Sequence, residues 1–147
     1  VNQYRERVVI EWLENNDTEV DLSLVIRRLL SLRKLGAQLA IDDLGSVTGM
    51  DGLGRARLSK AEFVKLDGTF FHSFRNDAEH LQRLVQTLQA LGHVCILEWV
   101  ETEEDQEIAM TSGATGVQGR RFSSQILHGR TDQSTGAHVC TISADLQ

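Results

Sequence analysis

Short apolar runs alternate with longer stretches of helical periodicity along this sequence. Apolar runs bounded by turn residues are typical of buried strands, and apolar residues that recur every three or four positions indicate amphipathic helices. The predicted strands cover residues 7–11, 37–43, 61–67, 93–98 and 115–118. The predicted helices cover residues 19–35, 77–91 and 102–111. Strands therefore alternate with helices, and helical crossovers imply that neighbouring strands are parallel.

The remaining connections are predicted to be loops. Residues 44–54 hold four glycines, which favour a flexible loop with one short helical turn before residue 59. Residues 69–76 are also predicted to be a loop that leads into the next helix.

Polar side chains follow each predicted strand at the point where the strand ends. They are Glu11, Asp42 with Asp43, Lys65 with Asp67, Glu98 with Glu101, and Gln118. The active face of a (β/α) barrel is built from the C-terminal ends of its strands, and an open doubly wound sheet also binds its ligands there. The periodicity does not separate these two folds. Five strands cannot close an eight-stranded barrel, so a barrel would require that part of it is missing.

The adjacent carboxylates Asp42 and Asp43 are the strongest candidates for chemistry. Regular strand geometry sends neighbouring side chains to opposite faces, so both can serve one site only if the strand ends there and Gly45 opens a turn. Paired acids at a strand end are suited to hold a divalent metal through hard oxygen ligands. The alternative is an Asp-rich loop or a helix N-cap.

Composition narrows the classes of partner and compartment. The net charge is −6 and no stripe of lysine and arginine is present, which argues against a nucleic-acid polymer as partner. No apolar run approaches membrane-spanning length and no signal-peptide pattern is present, so we expect no membrane association. Cys95 and Cys140 lie far apart, which suits a reducing cytoplasm, and Cys95 is predicted to be a buried thiol. The five histidines show no ligand spacing and are expected at the surface.

The strand-end residues resemble the motifs of the EAL-domain family, the cyclic di-GMP phosphodiesterases, over roughly residues 7–125. The family pattern runs E-x-x-E, D-D-F-G, K-I-D, A-E-G-V-E-T and Q-G-Y. The matching text here is Glu11-Trp12-Leu13-Glu14, Asp42-Asp43-Leu44-Gly45, Lys65-Leu66-Asp67, Leu97-Glu98-Trp99-Val100-Glu101-Thr102 and Gln118-Gly119-Arg120. The match corresponds to about the second half of a full EAL domain, so we predict a partial (β/α) barrel of about five parallel strands with flanking helices.

The resemblance implies hydrolysis of one phosphodiester bond of cyclic di-GMP with two Mg²⁺ or Mn²⁺ ions in intact members. It implies that Glu11, Asp42 and Asp43 are metal ligands, that Lys65 positions or activates the water, and that Glu98 is the second acid of the water and metal network. The resemblance also implies residues that bind substrate or hold the metal-binding residues in place. They are Glu14, Asp67, Glu101 and Gln118.

The chain also departs from the family pattern. The Glu-Ala-Leu motif that names the family and a metal-binding Asn on the next strand have no counterpart here, and both would precede Val1. Trp99 replaces a glycine beside Glu98, where its bulk is suited to fill the substrate pocket, and Arg120 replaces an aromatic residue.

Three hypotheses follow. The first, which we favour, is a truncated and degenerate EAL-like domain over residues 1–127, followed by a polar tail over 128–147 in which residues 139–142 suit a short strand. It would act as a binding or interaction module for cyclic di-GMP signalling without hydrolase activity of its own. The second is a working phosphodiesterase completed by a missing or partner half-barrel. The third is a self-associating half-barrel with no ligand. An open sheet edge exposes unpaired backbone groups, so we expect a homo-oligomer.

Overall fold

The computed structural model describes residues 9–13, 21–45 and 52–121. Five parallel strands form one open sheet in the order β1-β2-β3-β4-β5. The strands are β1 (Val9–Trp12), β2 (Gln38–Leu44), β3 (Phe63–Leu66), β4 (Val94–Leu97) and β5 (Gly116–Val117). The helices are α1 (Leu22–Lys34), α2 (Gly52–Ser59), α3 (Gly68–Ser73), α4 (Ala78–Ala90) and α5 (Glu103–Ser112). The predicted β-α alternation is thus confirmed.

The strand order separates the two folds that the periodicity left open. A doubly wound sheet reverses its strand order at a switch point, whereas here the spatial order follows the chain order throughout. Right-handed crossovers that always advance in one direction place their helices on one side of the sheet, as in a barrel wall. The described chain is therefore five consecutive units of a (β/α) barrel in an open sheet.

Local sequence explains where the helices begin and how they pack. Asp77 caps α4 by accepting a hydrogen bond from the backbone N–H of His80. Leu81, Val85 and Leu88 recur on one face of α4 and are buried against the sheet. Truncation of a buried leucine of this kind costs about 2–5 kcal/mol, so this helix is a main source of stability.

Both connections predicted as loops contain helices. Residues 52–59 form α2 in spite of their glycines, because Ala56 and Ser59 are buried and tertiary packing outweighs the low helix propensity of glycine. Residues 68–73 form α3, which Asp67 caps and Phe71 anchors in the core. The part of the glycine-rich segment at residues 46–51 lies outside the described residues.

Two predictions about single side chains have opposite outcomes. Cys95 is fully buried as predicted, and burial raises the pKa of its thiol to about 12. His93 was expected at the surface but is buried, because its Nδ1 lies 2.9 Å from the Ala61 carbonyl oxygen and ties the start of β4 to the loop before β3. The predicted tail at residues 128–147 lies outside the described residues.

Candidate functional site

A bulge in β2 brings Asp42 and Asp43 to one site. The register of β2 against β3 shifts between Ile41 and Leu44, and Asp43 has a φ of 55°. Aspartate is one of the few residues that enter this left-handed region readily. One carboxylate oxygen from each of Asp42, Asp43 and Glu98 lies within 4.8 Å of the other two. The strand continues to Leu44. The two carboxylates therefore meet because of the bulge and not, as predicted, because the strand ends at them.

Gly45 closes this bulge, and no larger residue fits there. Its φ is 92°, a conformation that favours glycine. A Cβ at this position would lie 2.3 Å from Cδ1 of Phe70, so the ring at the start of α3 packs directly on the glycine backbone. A side chain at position 45 would therefore have to displace this ring.

Lys65 lies at the centre of the acids. Its Nζ donates a hydrogen bond to Asp42 Oδ1 at 2.8 Å and lies 2.8 Å from Glu98 Oε1. Glu11 Oε1 is 3.4 Å from the same nitrogen. The lysine comes from the middle strand β3, and its partners come from β2, β4 and β1, so the parallel sheet itself assembles the cluster. We call these residues the acidic cluster: Glu11, Asp42, Asp43, Lys65 and Glu98.

Burial and charge act together on this cluster. Burial alone would lower the pKa of Lys65, but its hydrogen bonds to Asp42 and Glu98 outweigh burial and raise it well above the ordinary value. Burial raises the pKa of Glu98, and the neighbouring Asp42 and Asp43 charges add to that effect while Lys65 opposes it. The lysine is therefore held as an ammonium ion, and the carboxylates around it carry surplus negative charge.

The other predicted site residues have separate places in the structure. Asp67 accepts a hydrogen bond from the backbone N–H of Phe70 and caps α3. Glu101 forms a bidentate ion pair with Arg120, with both N···O distances at 2.8 Å. Gln118 bonds through its backbone, donating to the Leu97 carbonyl and accepting from Val100.
Glu14 lies outside the described residues.

A second ionic cluster beside the site was not predicted. Asp105 is fully buried and accepts hydrogen bonds from Arg75 Nε at 3.1 Å and Nη2 at 2.7 Å. Its other oxygen accepts from the backbone N–H groups of Glu101 and Thr102. Burial opposes its charge, but these hydrogen bonds outweigh burial and lower the pKa of Asp105 to about 2. The sequence signalled only the capping box of α5, because nothing local identifies Arg75 as a partner.

Trp99 follows Glu98 directly and lies outside the hydrophobic core. It has a φ of 55°, and its side chain is half exposed, at 53% of the full value for the residue. His72 Nε2 lies 3.1 Å from the Trp99 carbonyl oxygen and donates to it, which ties the backbone after β4 to α3. The ring therefore stands at the same sheet edge as the acidic cluster.

The acidic cluster suits a divalent cation. An ion with ligands at about 2.1 Å places opposite oxygens about 4.2 Å apart, close to the 4.8 Å within which the three carboxylate oxygens already lie. Carboxylates are also the ligands that hard divalent ions prefer. Asp42, Asp43 and Glu98 are thus a fitting ligand set, with Glu11 at the rim because 44% of its side chain is exposed.

Across the described ranges, no helix combines the length and apolarity needed to cross a membrane.

Comparison with known proteins identifies a family and individual proteins that are similar to this chain. The EAL domain family model matches residues 2–125. The cyclic di-GMP phosphodiesterase PdeF of Escherichia coli (strain K12) is 32% identical over 95 residues, which cover 62% of this chain and 12% of PdeF. The matched region is therefore a small part of that relative.

Solved structures share the fold. An EAL domain protein from Listeria monocytogenes EGD-e superposes with a TM-score of 0.70 at 24% identity, covering 86% of this chain and 52% of its own. BlrP1 from Klebsiella pneumoniae, in a complex with manganese and cyclic di-GMP, has a TM-score of 0.64 at 23% identity, covering 79% of this chain and 30% of BlrP1. This chain thus spans about half or less of each of these structures.

Proposed function

Because this chain belongs to the EAL domain family, we propose that it binds cyclic di-GMP and acts as a binding or interaction module in cyclic di-GMP signalling. The observation that carries the proposal is the acidic cluster, in which Lys65 Nζ lies 2.8 Å from both Asp42 and Glu98. Four carboxylates around one ammonium ion repel a bare phosphodiester, so a cation has to accompany the ligand.

The residues that would hold a divalent Mg²⁺ or Mn²⁺ ion are Asp42, Asp43 and Glu98, with Glu11 at the exposed rim. When bound, such an ion neutralises phosphodiester charge and polarises a water molecule. Lys65 orients the Asp42 and Glu98 carboxylates through its two short contacts and keeps a positive charge at the floor of the site. Asp67, Glu101 and Gln118 are proposed to bind the ligand or to stabilise the residues around the cluster.

The binding role is proposed ahead of hydrolysis because the chain departs from the family pattern within the site itself. Trp99 stands beside Glu98 where the family pattern has a glycine, and Arg120 stands where it has an aromatic residue. In this sense the domain is proposed to be degenerate.

A second candidate function is hydrolysis of cyclic di-GMP when a further half-barrel, from the same protein or from a partner, completes the site. The observation that favours it is the retention of Lys65 in contact with three carboxylates. An ammonium group held among metal-binding carboxylates is suited to position a water molecule as well as to orient the ligands of the metal. The same open sheet supports the proposal that the chain forms a homo-oligomer, which sedimentation at micromolar concentration tests directly.

A cytoplasmic location is also part of the proposal, because the free, buried thiol of Cys95 suits a reducing compartment.

Calorimetry with cyclic di-GMP tests the binding proposal. We expect binding to wild-type chain in the presence of Mg²⁺ or Mn²⁺ and a loss of at least tenfold in affinity in Asp42→Asn. Asp77→Asn is the matched control, because Asp77 is an exposed N-cap and asparagine caps helices equally well. Absence of binding to wild-type chain with either metal would contradict the proposal and favour a self-associating half-barrel with no ligand. Formation of the linear dinucleotide, abolished in Asp42→Asn, would instead establish the second candidate.

A further inference from the structure

Trp99 is held at the edge of the acidic cluster in a way that a packing residue does not need. We propose that its indole ring is a stacking platform for a planar base of the bound nucleotide, an inference that rests on the proposed function. Trp99 follows Glu98 directly, at the C-terminal end of β4. The ring therefore belongs to the same edge of the sheet as the carboxylates that would bind the phosphodiester.

The backbone of Trp99 is in a conformation that bulky residues avoid. Its φ of 55° lies in the left-handed region, where a tryptophan is a true outlier. Strain of this kind persists only when the surrounding structure fixes it, and it concentrates at ligand-binding sites. The hydrogen bond from His72 Nε2 to the Trp99 carbonyl, at 3.1 Å, is one contact that fixes it here.

The indole ring is packed on one face, and the residue is still exposed to solvent. A Cβ at Gly68 would lie 2.2 Å from Cγ and 2.3 Å from Cδ2 of Trp99. Each of these two ring atoms is bonded to three heavy atoms, so the glycine backbone approaches them from a face of the ring and not from its edge. The residue is still 53% exposed, so much of it remains accessible to solvent. An aromatic ring that is packed on one face and accessible elsewhere is suited to contact a second flat ring.

The position of the ring fits a ligand whose phosphate lies on the acidic cluster. Gly68 is three residues beyond Lys65, and three residues of chain span at most about 10 Å. A base joined through its sugar to a phosphodiester covers a gap of this order. Stacking accepts any base because every base has a π face, so the ligand class is a nucleotide phosphodiester.

The alternative role for Trp99 is to fill the site and exclude the ligand. The two roles predict opposite changes in affinity when the ring is removed, so substitution decides between them. Leucine and phenylalanine both keep a Cβ in the left-handed conformation, so Trp99→Leu and Trp99→Phe carry the same backbone cost and differ in the aromatic face.

The test uses fluorescence in a Trp12→Phe background, since the chain has two tryptophans. We expect saturable quenching of Trp99 by cyclic di-GMP with Mg²⁺, with an affinity that calorimetry shows to be unchanged by Trp12→Phe. We expect Trp99→Leu to weaken binding by roughly 5- to 150-fold, the range measured for loss of one base stack. Trp99→Phe should restore most of that loss, and circular dichroism melts should show the Leu and Phe variants equally folded.

Three results would overturn the platform. Equal affinity of Trp99→Leu and wild-type chain, with binding still lost in Asp42→Asn, refutes the platform and leaves the proposed function standing. Tighter binding in Trp99→Leu shows that the ring blocks the site. Absence of cyclic di-GMP binding to wild-type chain refutes the proposed function and the platform together.

Discussion

Replacement of Lys65 by methionine tests whether the acidic cluster is one electrostatic unit. Methionine keeps the length and the apolar stem of the side chain but removes its charge. Only 6% of the Lys65 side chain is exposed, and its Nζ is 2.8 Å from Asp42 Oδ1 and from Glu98 Oε1. The variant therefore leaves buried carboxylates next to each other with no cation between them.

The size of the effect follows from these contacts. Removing one member of a buried ion pair costs about 3–5 kcal/mol, because the remaining charge stays buried without compensation. Glu11 adds little, since exposed pairs contribute about 0–1 kcal/mol. Glu98 limits the loss of folding stability in the variant. Its pKa is already raised, so it can take up a proton when Lys65 is gone. We therefore expect a loss near the lower end, about 3 kcal/mol, a large part of the 5–15 kcal/mol that stabilises an ordinary domain.

Urea denaturation followed by circular dichroism measures this loss. With a slope of about 1–3 kcal/mol per molar urea, the midpoint should fall by about 1–3 M. Lys60→Met is the matched control, since Lys60 is exposed and surface substitutions usually change stability by less than about 0.5 kcal/mol. Addition of Mg²⁺ should stabilise Lys65→Met more than wild-type chain, because the ion replaces the missing positive charge among the acids.

A stability of Lys65→Met equal to or above that of wild-type chain, without added cation, would refute this reasoning. Equal stabilisation of the two proteins by Mg²⁺ would also refute it. That result would mean that the charge of Lys65 does not affect how the carboxylates bind a cation. Protonation of Glu98 gives an independent check. Because Glu98 can take up a proton in folded Lys65→Met, the number of protons exchanged on unfolding should differ between the variant and wild-type chain.

The remaining predictions concern the two neighbours of the site and the metal. The folded pKa of Asp105 is about 2, below its ordinary value of 3.8, so its stabilisation is complete above about pH 4 and is lost as the pH falls towards 2. Wild-type chain should therefore lose about 2 kcal/mol more than Asp105→Asn between pH 5 and pH 2 in urea titrations, and parallel losses would contradict this. Gly45→Ala should destabilise the chain by about 1–3 kcal/mol more than Gly92→Ala, since both have a φ near 90° but only Gly45 would meet a ring; equal losses would show that Phe70 moves aside. Chelation of divalent ions should abolish cyclic di-GMP binding in calorimetry, and binding that survives chelation would exclude a metal-bridged ligand.

The sequence predicted the sheet and the source of each acid because both depend on periodicity. Buried strands with polar residues at their ends follow from the alternation of apolar and helical segments, and the cluster of Asp42, Lys65 and Glu98 follows from parallel pairing. The helices α2 and α3 could not be predicted in the same way, because glycine and short length weaken the local signal. Burial of Ala56 and Phe71 in the core supplies what propensity lacks.

Backbone conformations were the least predictable part of the site. Asp43 and Trp99 both have a φ of 55°, and neither residue type alone forecasts that angle. In Asp43 the angle belongs to a bulge that the register shift against β3 creates. In Trp99 it places a ring on Gly68, and only the folded chain brings residues 68 and 99 together. Sequence reasoning could therefore list the residues of the site but not the side on which each one lies.

The charge of the cluster determines the order in which its ligands can bind. With all groups ionised, the four carboxylates and one ammonium ion of the acidic cluster carry a net charge of −3, from −4 and +1. A phosphodiester that approaches this surface is repelled by the carboxylates. Lys65 alone does not offset the repulsion, because its ammonium group already pairs with those carboxylates. A divalent cation reduces the net charge to −1 and supplies open coordination positions. Under the proposed function the cation should therefore bind first and the nucleotide second, and the affinity for cyclic di-GMP would report how well Asp42, Asp43 and Glu98 hold a metal.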